Sequence, residues 1–109
     1  MKTKTVRHLA VPLLCMLLVS VVQAQTATKE VLYVRTLAAT CANCHGTDGK
    51  AVAGSTVTSL AGLDKAYFVA QMAAFKSGAR TATVMHQISK GFNDAQIQAL
   101  AGYFSEQKK

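Results

Sequence analysis

The sequence predicts an all-α protein in which a small domain follows an apolar N-terminal segment. In three separate stretches, apolar residues recur at three- and four-residue steps, which is the spacing of one helical face. No alternating pattern of strand character extends beyond a few residues, and no internal repeat is present. A chain of 109 residues has room for one small domain of this kind. We expect three to four helices.

Residues 1–24 have the organisation of a secretory signal peptide. A basic start precedes a nearly continuous apolar run from Leu9 to Val22, and Val22-Gln23-Ala24 resembles a signal-peptidase site. The run is shorter than the roughly 20 residues that span a bilayer, which disfavours the alternative of an uncleaved anchor. The sequence therefore predicts a signal peptide over 1–24, a domain over 25–109, and no membrane span after cleavage.

The charge of the chain disfavours a nucleic-acid partner. The whole sequence has 12 basic and 5 acidic side chains. Cleavage at Ala24 would remove Lys2, Lys4 and Arg7 and leave nine basic and five acidic side chains, a formal charge of +4. No run of five basic residues occurs, so a mildly basic surface is the expected interpretation.

The first predicted helix runs from about Thr28 to Asn43, and Gly46 is expected to end it. Residues from Gly46 to Gly62 are rich in glycine, serine and threonine, which indicates a loop. The apolar positions of the helix are Val31, Leu32, Val34, Leu37, Ala38 and Cys41.

The second predicted helix extends from Asp64, a candidate N-cap, to Ser77, and Gly78 is a C-terminal stop. Its apolar stripe combines Phe68, Met72 and Phe75, with Tyr67 and Ala74 on the flank.

The third predicted helix begins at Asn93, and Gln96 completes a capping-box pattern. The stretch before it, from Thr81 to Gly91, is expected to connect the helices and to contain one helical turn around His86 to Lys90. The predicted buried face is Ile97, Leu100, Ala101 and Phe104.

The sequence Cys41-Ala-Asn-Cys44-His45 has the C-x-x-C-H spacing typical of c-type haem attachment. Each thiol can add to one vinyl group of the haem, and the adjacent imidazole can bind the iron. Because Cys41 and Cys44 are three residues apart in a predicted helix, their sulfurs share one face. The sequence therefore predicts one covalently bound haem c, with His45 as an axial ligand of its iron.

Other readings of the same motif fit less well. A zinc site needs four ligands, and beyond this motif only His86 remains in the mature chain. A thioredoxin-like C-x-x-C needs a βαβ setting, whereas no strands are predicted. A structural disulfide would leave His45 unexplained.

Met85 is the favoured second axial ligand. Its thioether lies outside any strong amphipathic stripe, in a predicted loop that can place it on the iron, and a thioether ligand raises the haem potential. Met72 lies inside an apolar stripe and is favoured as a core residue. His86 as the ligand, or an iron that is open or otherwise ligated, stays as the alternative.

The sequence Cys41-Ala-Asn-Cys-His45-Gly-Thr-Asp-Gly-Lys50 resembles the haem-binding start of small class I c-type cytochromes. Phe75-Lys-Ser-Gly-Ala-Arg80, Met85, Ile88-Ser-Lys-Gly91 and Leu100-Ala-Gly-Tyr-Phe104 resemble the axial-methionine loop and C-terminal helix of one branch. That branch includes cytochromes c4 and the cytochrome subunit of flavocytochrome c sulfide dehydrogenase.

The resemblance implies a single-haem class I cytochrome c fold in which the N- and C-terminal helices cross beside the haem. Val34, Ala38, Leu100, Ala101 and Phe104 are the expected residues of the crossing. The resemblance also implies thioether bonds at Cys41 and Cys44, and His45 and Met85 as axial ligands.

The sequence departs from its relatives at two points. Many relatives use the carbonyl of a loop proline to accept a hydrogen bond from the proximal histidine, but the mature chain has no proline. We expect a carbonyl in the Ser55–Leu60 stretch to take that role. Relatives of this branch often carry two haem domains, whereas this sequence has one C-x-x-C-H motif.

Three functions compete at this point. The first is periplasmic electron transfer between redox proteins, and the second is the cytochrome subunit of a flavoprotein sulfide dehydrogenase. A gas-binding haem sensor is the third, which Met85 disfavours because such a sensor needs an open iron position. No catalytic acid–base or nucleophilic set is found, so the chain alone is not expected to be an enzyme. Five basic residues could ring the haem edge, although a solvated surface is the favoured interpretation because no spacing connects them: Lys50, Lys65, Lys76, Arg80 and Lys90.

Overall fold

A computed structural model of the chain describes residues 28–109. The predicted signal peptide and its cleavage site lie outside the described residues. The chain divides into two units, residues 1–32 and 33–109. Of the first unit only residues 28–32 are described; they are helical, and Val31 and Leu32 are each 58% exposed.

Four α-helices make up the described chain. They are α1 over residues 28–45, α2 over Lys65–Ser77, α3 over Met85–Ile88 and α4 over Asp94–Ser105. Two 3-10 turns, Thr47–Gly49 and Ser89–Gly91, follow α1 and α3. Residues 28–109 contain no strand, which confirms the predicted all-α class. Helix α1 continues through residue 45 instead of ending at Asn43, so the entire C-x-x-C-H motif is helical.

Side-chain caps fix the beginnings of α2 and α4 as predicted. The Asp64 carboxylate accepts a hydrogen bond from the Tyr67 amide at 2.8 Å, and Gly78 ends α2 in a left-handed conformation with φ of 78°. At α4 the Asn93 side chain accepts from the Gln96 amide at 2.9 Å, and the Gln96 side chain accepts from the Asn93 amide at 3.0 Å. These bonds satisfy amides that a helix start leaves without partners, which is why both boundaries could be read from the sequence.

One hydrophobic cluster joins α1, α2 and α4. The predicted face of α4 is fully confirmed, whereas α1 contributes Ala38, with Leu37 and Cys41 packed at the edge. Val31 and Leu32, two further apolar positions of the predicted helix, are helical as expected but exposed. The spacing of apolar residues predicts which face of a helix is apolar, but not how much of that face other elements cover. The buried members are Ala38, Phe68, Met72, Ile97, Leu100, Ala101 and Phe104.

Two side-chain hydrogen bonds connect the beginning and end of the second unit. Gln96 of α4 donates to the Tyr33 hydroxyl of α1 at 3.0 Å. The Tyr103 hydroxyl of α4 donates to Asp48 in the turn that follows α1. This bond, together with burial, raises the pKa of Tyr103. Helix α4 is therefore connected to α1 and to the turn after it by hydrogen bonds as well as by the apolar cluster.

Gly49 connects the turn after α1 to the returning loop and to α4. Its carbonyl accepts the Leu60 amide at 2.7 Å, the Ala61 amide at 3.1 Å and the Ser59 hydroxyl at 2.8 Å. Its φ of +76° favours glycine, and a Cβ at this position would lie 2.7 Å from the Phe104 ring and 2.8 Å from the Leu60 side chain. The turn can pack this closely only because residue 49 has no side chain.

Substitution of Gly49 tests this packing, with Gly54 as the matched control. Gly54 has a similar φ of +80°, but a Cβ there meets nothing within 4 Å. Both Gly→Ala changes incur the left-handed strain of roughly 1–2 kcal/mol, whereas Gly49→Ala adds an overpacking cost of roughly 1–3 kcal/mol. Urea unfolding of the two haem-loaded variants should show Gly49→Ala as the less stable by that difference. Equal losses of unfolding free energy would contradict the close packing of residue 49 on Phe104.

Candidate functional site

A cavity of about 480 Å³ opens among the end of α1, the loop that returns from Gly49, α2 and α3. Its size lies within the range of roughly 300–1,000 Å³ that is typical of small-molecule and cofactor sites. Most of the wall is apolar. The lining residues are Thr40, Cys41, Cys44, His45, Thr56, Val57, Thr58, Leu60, Leu63, Tyr67, Phe68, Gln71, Met72, Phe75, Arg80, Thr83, Val84, Met85, Ile88 and Phe92.

The last turn of α1 brings all three chemically distinctive residues of the motif to the cavity wall. Cys41, Cys44 and His45 each line the cavity, and both cysteines are free thiols. Cys41 is half-buried, and this burial raises the pKa of its thiol, whereas Cys44 is exposed. The helical spacing places the two sulfurs on one face of α1, as two covalent bonds to one flat ligand require.

A hydrogen bond to the main chain orients the His45 ring. Its Nδ1 lies 2.6 Å from the carbonyl oxygen of Thr58. Because a carbonyl only accepts hydrogen bonds, Nδ1 must be the protonated nitrogen, and the lone pair on Nε2 is left for a metal. The prediction that a carbonyl in the Ser55–Leu60 stretch takes this role is confirmed. The bonds from Ser59 and Leu60 to the Gly49 carbonyl hold the stretch in place.

Met85 reaches the same cavity from the other half of the sequence. It is the first residue of α3, so its placement in a loop was wrong, although the predicted helical turn in this region is confirmed. The amides of Gln87 and Ile88 both donate to the Val84 carbonyl, at 2.9 and 3.1 Å, and close the turn that holds Met85 at the wall.

Two other candidate ligands have different positions. Met72 is only 5% exposed and belongs to the core cluster, as predicted, but it also lines the cavity. His86 is not among the lining residues, and its Nδ1 is buried with no hydrogen-bond partner. The structure therefore brings His45, Met85 and Met72 to one cavity and leaves His86 outside its wall.

The residues of the cavity fit a c-type haem. Two neighbouring thiols, one imidazole with a free nitrogen and two thioethers lie in an otherwise largely apolar wall. Within residues 28–109 no three His, Cys, Asp or Glu side chains are grouped so that they could hold a metal ion, which argues against the zinc alternative. The donor set suits an iron that arrives inside an apolar macrocycle, not a bare ion.

Sequence reasoning missed the surroundings of Arg80. Arg80 was grouped with four lysines as a possible ring of charge, but it alone among those five residues lines the cavity. Its guanidinium lies 4.7 Å from the centre of the Phe75 ring and donates to the Gln71 side chain. The segment Phe75–Arg80 gave no signal for this arrangement, because Gln71 lies nine residues before Arg80 and only the bend after Gly78 brings them together.

The fold and the cavity define a class of protein: a small all-α domain that carries one haem. Residues 33–108 match the cytochrome c family. The chain belongs to this family and has its class I fold, and it is an electron-transfer protein with a covalently bound c-type haem, not itself an enzyme. None of the helices described here has the length and apolar character needed to cross a membrane.

Three proteins with related sequences are a sulfide dehydrogenase cytochrome subunit, a thiosulfate dehydrogenase electron acceptor and a cytochrome c4. The chain is 38% identical over 88 residues to the cytochrome subunit of sulfide dehydrogenase from Chlorobaculum tepidum, with coverage of 79% of this chain and 78% of that protein. It is 35% identical over 83 residues to the thiosulfate dehydrogenase electron acceptor of Stutzerimonas stutzeri, covering 72% of this chain and 38% of that protein. The cytochrome c4 structure from Acidithiobacillus ferrooxidans matches with a TM-score of 0.56 and 37% identity, over 60% of this chain and 37% of that one. The chain thus spans well under half the length of the latter two relatives.

Proposed function

We propose that this protein transfers electrons through one haem held by thioether bonds to Cys41 and Cys44, with His45 and Met85 as the axial ligands. The observation that carries the proposal is the convergence of all four side chains on one cavity, although Met85 lies forty residues beyond His45 in the sequence. The hydrogen bond from His45 to Thr58 adds support, because it leaves Nε2 as the nitrogen that can bind iron.

The residues of the chain have separate roles in this proposal. The haem, when bound, supplies reversible one-electron exchange at its iron. His45 is held by Thr58 in a single tautomer, and a ring so fixed needs little rearrangement when the charge on the iron changes. The soft thioether of Met85 favours the ferrous state and raises the reduction potential. Apolar side chains of the cavity wall, such as Phe68 and Leu60, would exclude water from the haem. A site without water favours the ferrous haem, which carries less charge than the ferric haem.

Replacement of Met85 by Ala tests the axial ligand, and Met72→Leu is the matched control because Met72 is the other thioether on the cavity wall. Met85→Ala should abolish the sulfur-to-iron absorption band, lower the potential and allow the ferrous protein to bind carbon monoxide. Met72→Leu conserves volume approximately, so it should keep the band and lose less than about 1.5 kcal/mol of stability. Optical spectra of both variants in the two redox states give the answer.

Loss of the sulfur-to-iron band in Met72→Leu, with an intact band in Met85→Ala, would identify Met72 as the axial ligand. A wild-type protein that binds carbon monoxide readily at neutral pH would instead favour the gas-binding alternative, because it would reveal an open iron position. An intact band in Met85→Ala would contradict thioether ligation by Met85, whereas absence of the band from the wild-type protein would direct attention to a nitrogen ligand such as His86.

We also propose that the protein acts in the periplasm after removal of residues 1–24. The basic start, the short apolar run and the small residue at Ala24 support this proposal. Cleavage would remove Cys15 with the signal peptide. The mature protein would then have two cysteines, Cys41 and Cys44, and both are used by the proposed haem attachment. The intact mass of purified protein should equal residues 25–109 plus one haem. A mass that retains Met1 would contradict cleavage.

The partner that we propose is a dehydrogenase that oxidises a reduced sulfur compound, with a flavoprotein subunit as the leading candidate. The similarity to a cytochrome subunit of sulfide dehydrogenase and to an electron acceptor of thiosulfate dehydrogenase supports this choice. The relative from Chlorobaculum tepidum makes a sulfide dehydrogenase the better supported of these two partners, because the match covers most of both chains. A carrier that serves several partners is the second candidate.

Affinity purification of the tagged, haem-loaded protein from its own cells tests the partner. The expected result is a stable complex with a flavin-containing protein that reduces the haem when sulfide is added. Reduction with thiosulfate but not sulfide would assign the thiosulfate enzyme. A protein that stays monomeric and is reduced equally well by unrelated donors would overturn the subunit proposal and favour the general carrier.

A further inference from the structure

Two buried polar atoms in the helical turn that begins at Met85 have no hydrogen-bond partner within residues 28–109. One is the hydroxyl oxygen of Ser89, a residue whose side chain is fully buried. The other is Nδ1 of His86, an atom that is buried although the residue as a whole is half-buried. Nearly all buried polar groups in proteins are hydrogen-bonded, either to the protein or to ordered water. Two such atoms in one turn therefore point to a third group that binds both.

The backbone of this turn places the two residues on one face. Ile88 and Ser89 have helical dihedral angles, and the Ser89 amide donates to the Met85 carbonyl, so the helical path is continuous from Met85 to Ser89. Side chains three residues apart in a helix, as His86 and Ser89 are, have roughly 5–6 Å between their Cβ atoms. At about 100° per residue, the direction of Ser89 lies between those of Met85 and His86. A group bound by His86 and Ser89 therefore adjoins the helical face of Met85.

The chemistry of the two atoms fits one water molecule. A hydroxyl donates one hydrogen bond and accepts others, and a neutral imidazole Nδ1 donates or accepts according to its tautomer. Water does both, and buried waters in proteins typically bind two to four polar groups that would otherwise be unsatisfied. His86 and Ser89 make no direct hydrogen bond with each other. A metal ion has too few ligands here, because residues 28–109 contain no group of three His, Cys, Asp or Glu side chains that could hold one.

The packing around Ser89 keeps bulk solvent away from this place. The turn Ser89–Gly91 contacts α2, and the Lys76 side chain of α2 donates to the Phe92 carbonyl just beyond the turn, at 2.8 Å. Residue 89 has no exposed surface, so solvent cannot supply the missing hydrogen bond while the turn is closed. A water bound there must be a resident one, and it can leave only when the turn opens.

We propose that His86 and Ser89 hold one buried water molecule that fastens the turn on which Met85 reaches the cavity. The inference rests on the proposed function in one respect, because it treats Met85 as the iron ligand. His86 and Ser89 are then positioning residues, since neither lines the cavity and both act on the thioether through the turn. A helix of four residues has little stability of its own, so two further hydrogen bonds within the turn matter to it.

Ser89→Ala tests the site through the rate at which the ferrous, haem-loaded protein binds carbon monoxide. The gas binds only after Met85 leaves the iron, so this rate reports how often the turn opens. Without the hydroxyl, the water loses one of its two partners and His86 is left poorly satisfied, so the rate should rise roughly 5- to 30-fold. Ser105→Ala is the matched control, because the half-buried Ser105 hydroxyl donates to the Gly102 carbonyl at 2.8 Å and does not line the cavity. Its rate should stay within about twofold of wild type.

Urea unfolding of the same two variants separates positioning from general stability. If Ser89 only stabilises the fold, Ser89→Ala lowers the free energy of unfolding and leaves the rate of carbon monoxide binding unchanged. That combination would overturn the proposal.

The variant His86→Phe shows whether the two residues act through one shared group. Phenylalanine keeps an aromatic ring but has no nitrogen, so the single variant should also raise the rate of carbon monoxide binding. The double variant Ser89→Ala/His86→Phe has no unsatisfied polar side-chain atom at this place, so its rate should be well below the product of the two single effects. Single effects that multiply would contradict a shared water. If His86→Phe does not fold, Ser89→Ala and its control still decide the matter.

A high-resolution crystal structure of the wild-type, haem-loaded protein tests the water directly. The expected result is one water at hydrogen-bond distance, roughly 2.7–3.2 Å, from both His86 Nδ1 and the Ser89 hydroxyl. A direct hydrogen bond between the two residues, or another protein group in that place, would overturn the proposal. Absence of the sulfur-to-iron band in the wild-type protein would instead contradict Met85 as the ligand. The crystal structure does not depend on that band, so the two failures are distinguishable.

Discussion

The carbonyl oxygen of Gly49 is the point on which the haem side of the structure depends. It accepts three hydrogen bonds from the returning loop, from Ser59, Leu60 and Ala61, and thereby fixes the stretch that carries Thr58. Thr58 in turn fixes the ring of His45. Because Gly49 also packs on Phe104 without a side chain, the geometry of one proposed iron ligand is tied to the core beneath it.

The second proposed ligand is held by a different device. Met85 begins a helix of only four residues, which is closed by two amides on the Val84 carbonyl and continues into the turn Ser89–Gly91. Ser89, the first residue of that turn, is fully buried, and just beyond it the Lys76 side chain donates a hydrogen bond to the Phe92 carbonyl at 2.8 Å. A short helix has little stability of its own, so this segment also depends on its contacts with α2.

Helix boundaries and the buried faces of α2 and α4 could be predicted because local chemistry decides them. The amides at the start of α2 and α4 are satisfied by side chains within three residues, those of Asp64 and of the Asn93–Gln96 pair, and α2 ends at Gly78. The motif from Cys41 to His45 was equally local. The exposure of Val31 and Leu32 could not be predicted, because it depends on what covers a helical face, and a periodic pattern has no information on that.

The neighbours of the iron ligands show the same limit at closer range. The sequence predicted that a carbonyl in the six-residue stretch Ser55–Leu60 accepts the hydrogen bond from His45. Every carbonyl of that stretch has the same chemistry, so only the fold could show that Thr58 is the partner. Likewise Met72 was interpreted correctly as a core residue, yet it also faces the cavity, and sequence spacing cannot exclude one role in favour of the other.

The double role of Met72 follows from how such a small domain is stabilised. The described chain buries only a few large apolar side chains completely, among them Phe104 and Leu100, and domains of this size commonly need a cofactor or other cross-link to be stable. Phe68 and Met72 belong both to the core cluster and to the cavity wall, so the haem face continues the core and is not a separate pocket. A residue that packs the core then also sets the polarity around the haem. Changes to these two residues are therefore expected to affect the free energy of unfolding and the reduction potential together.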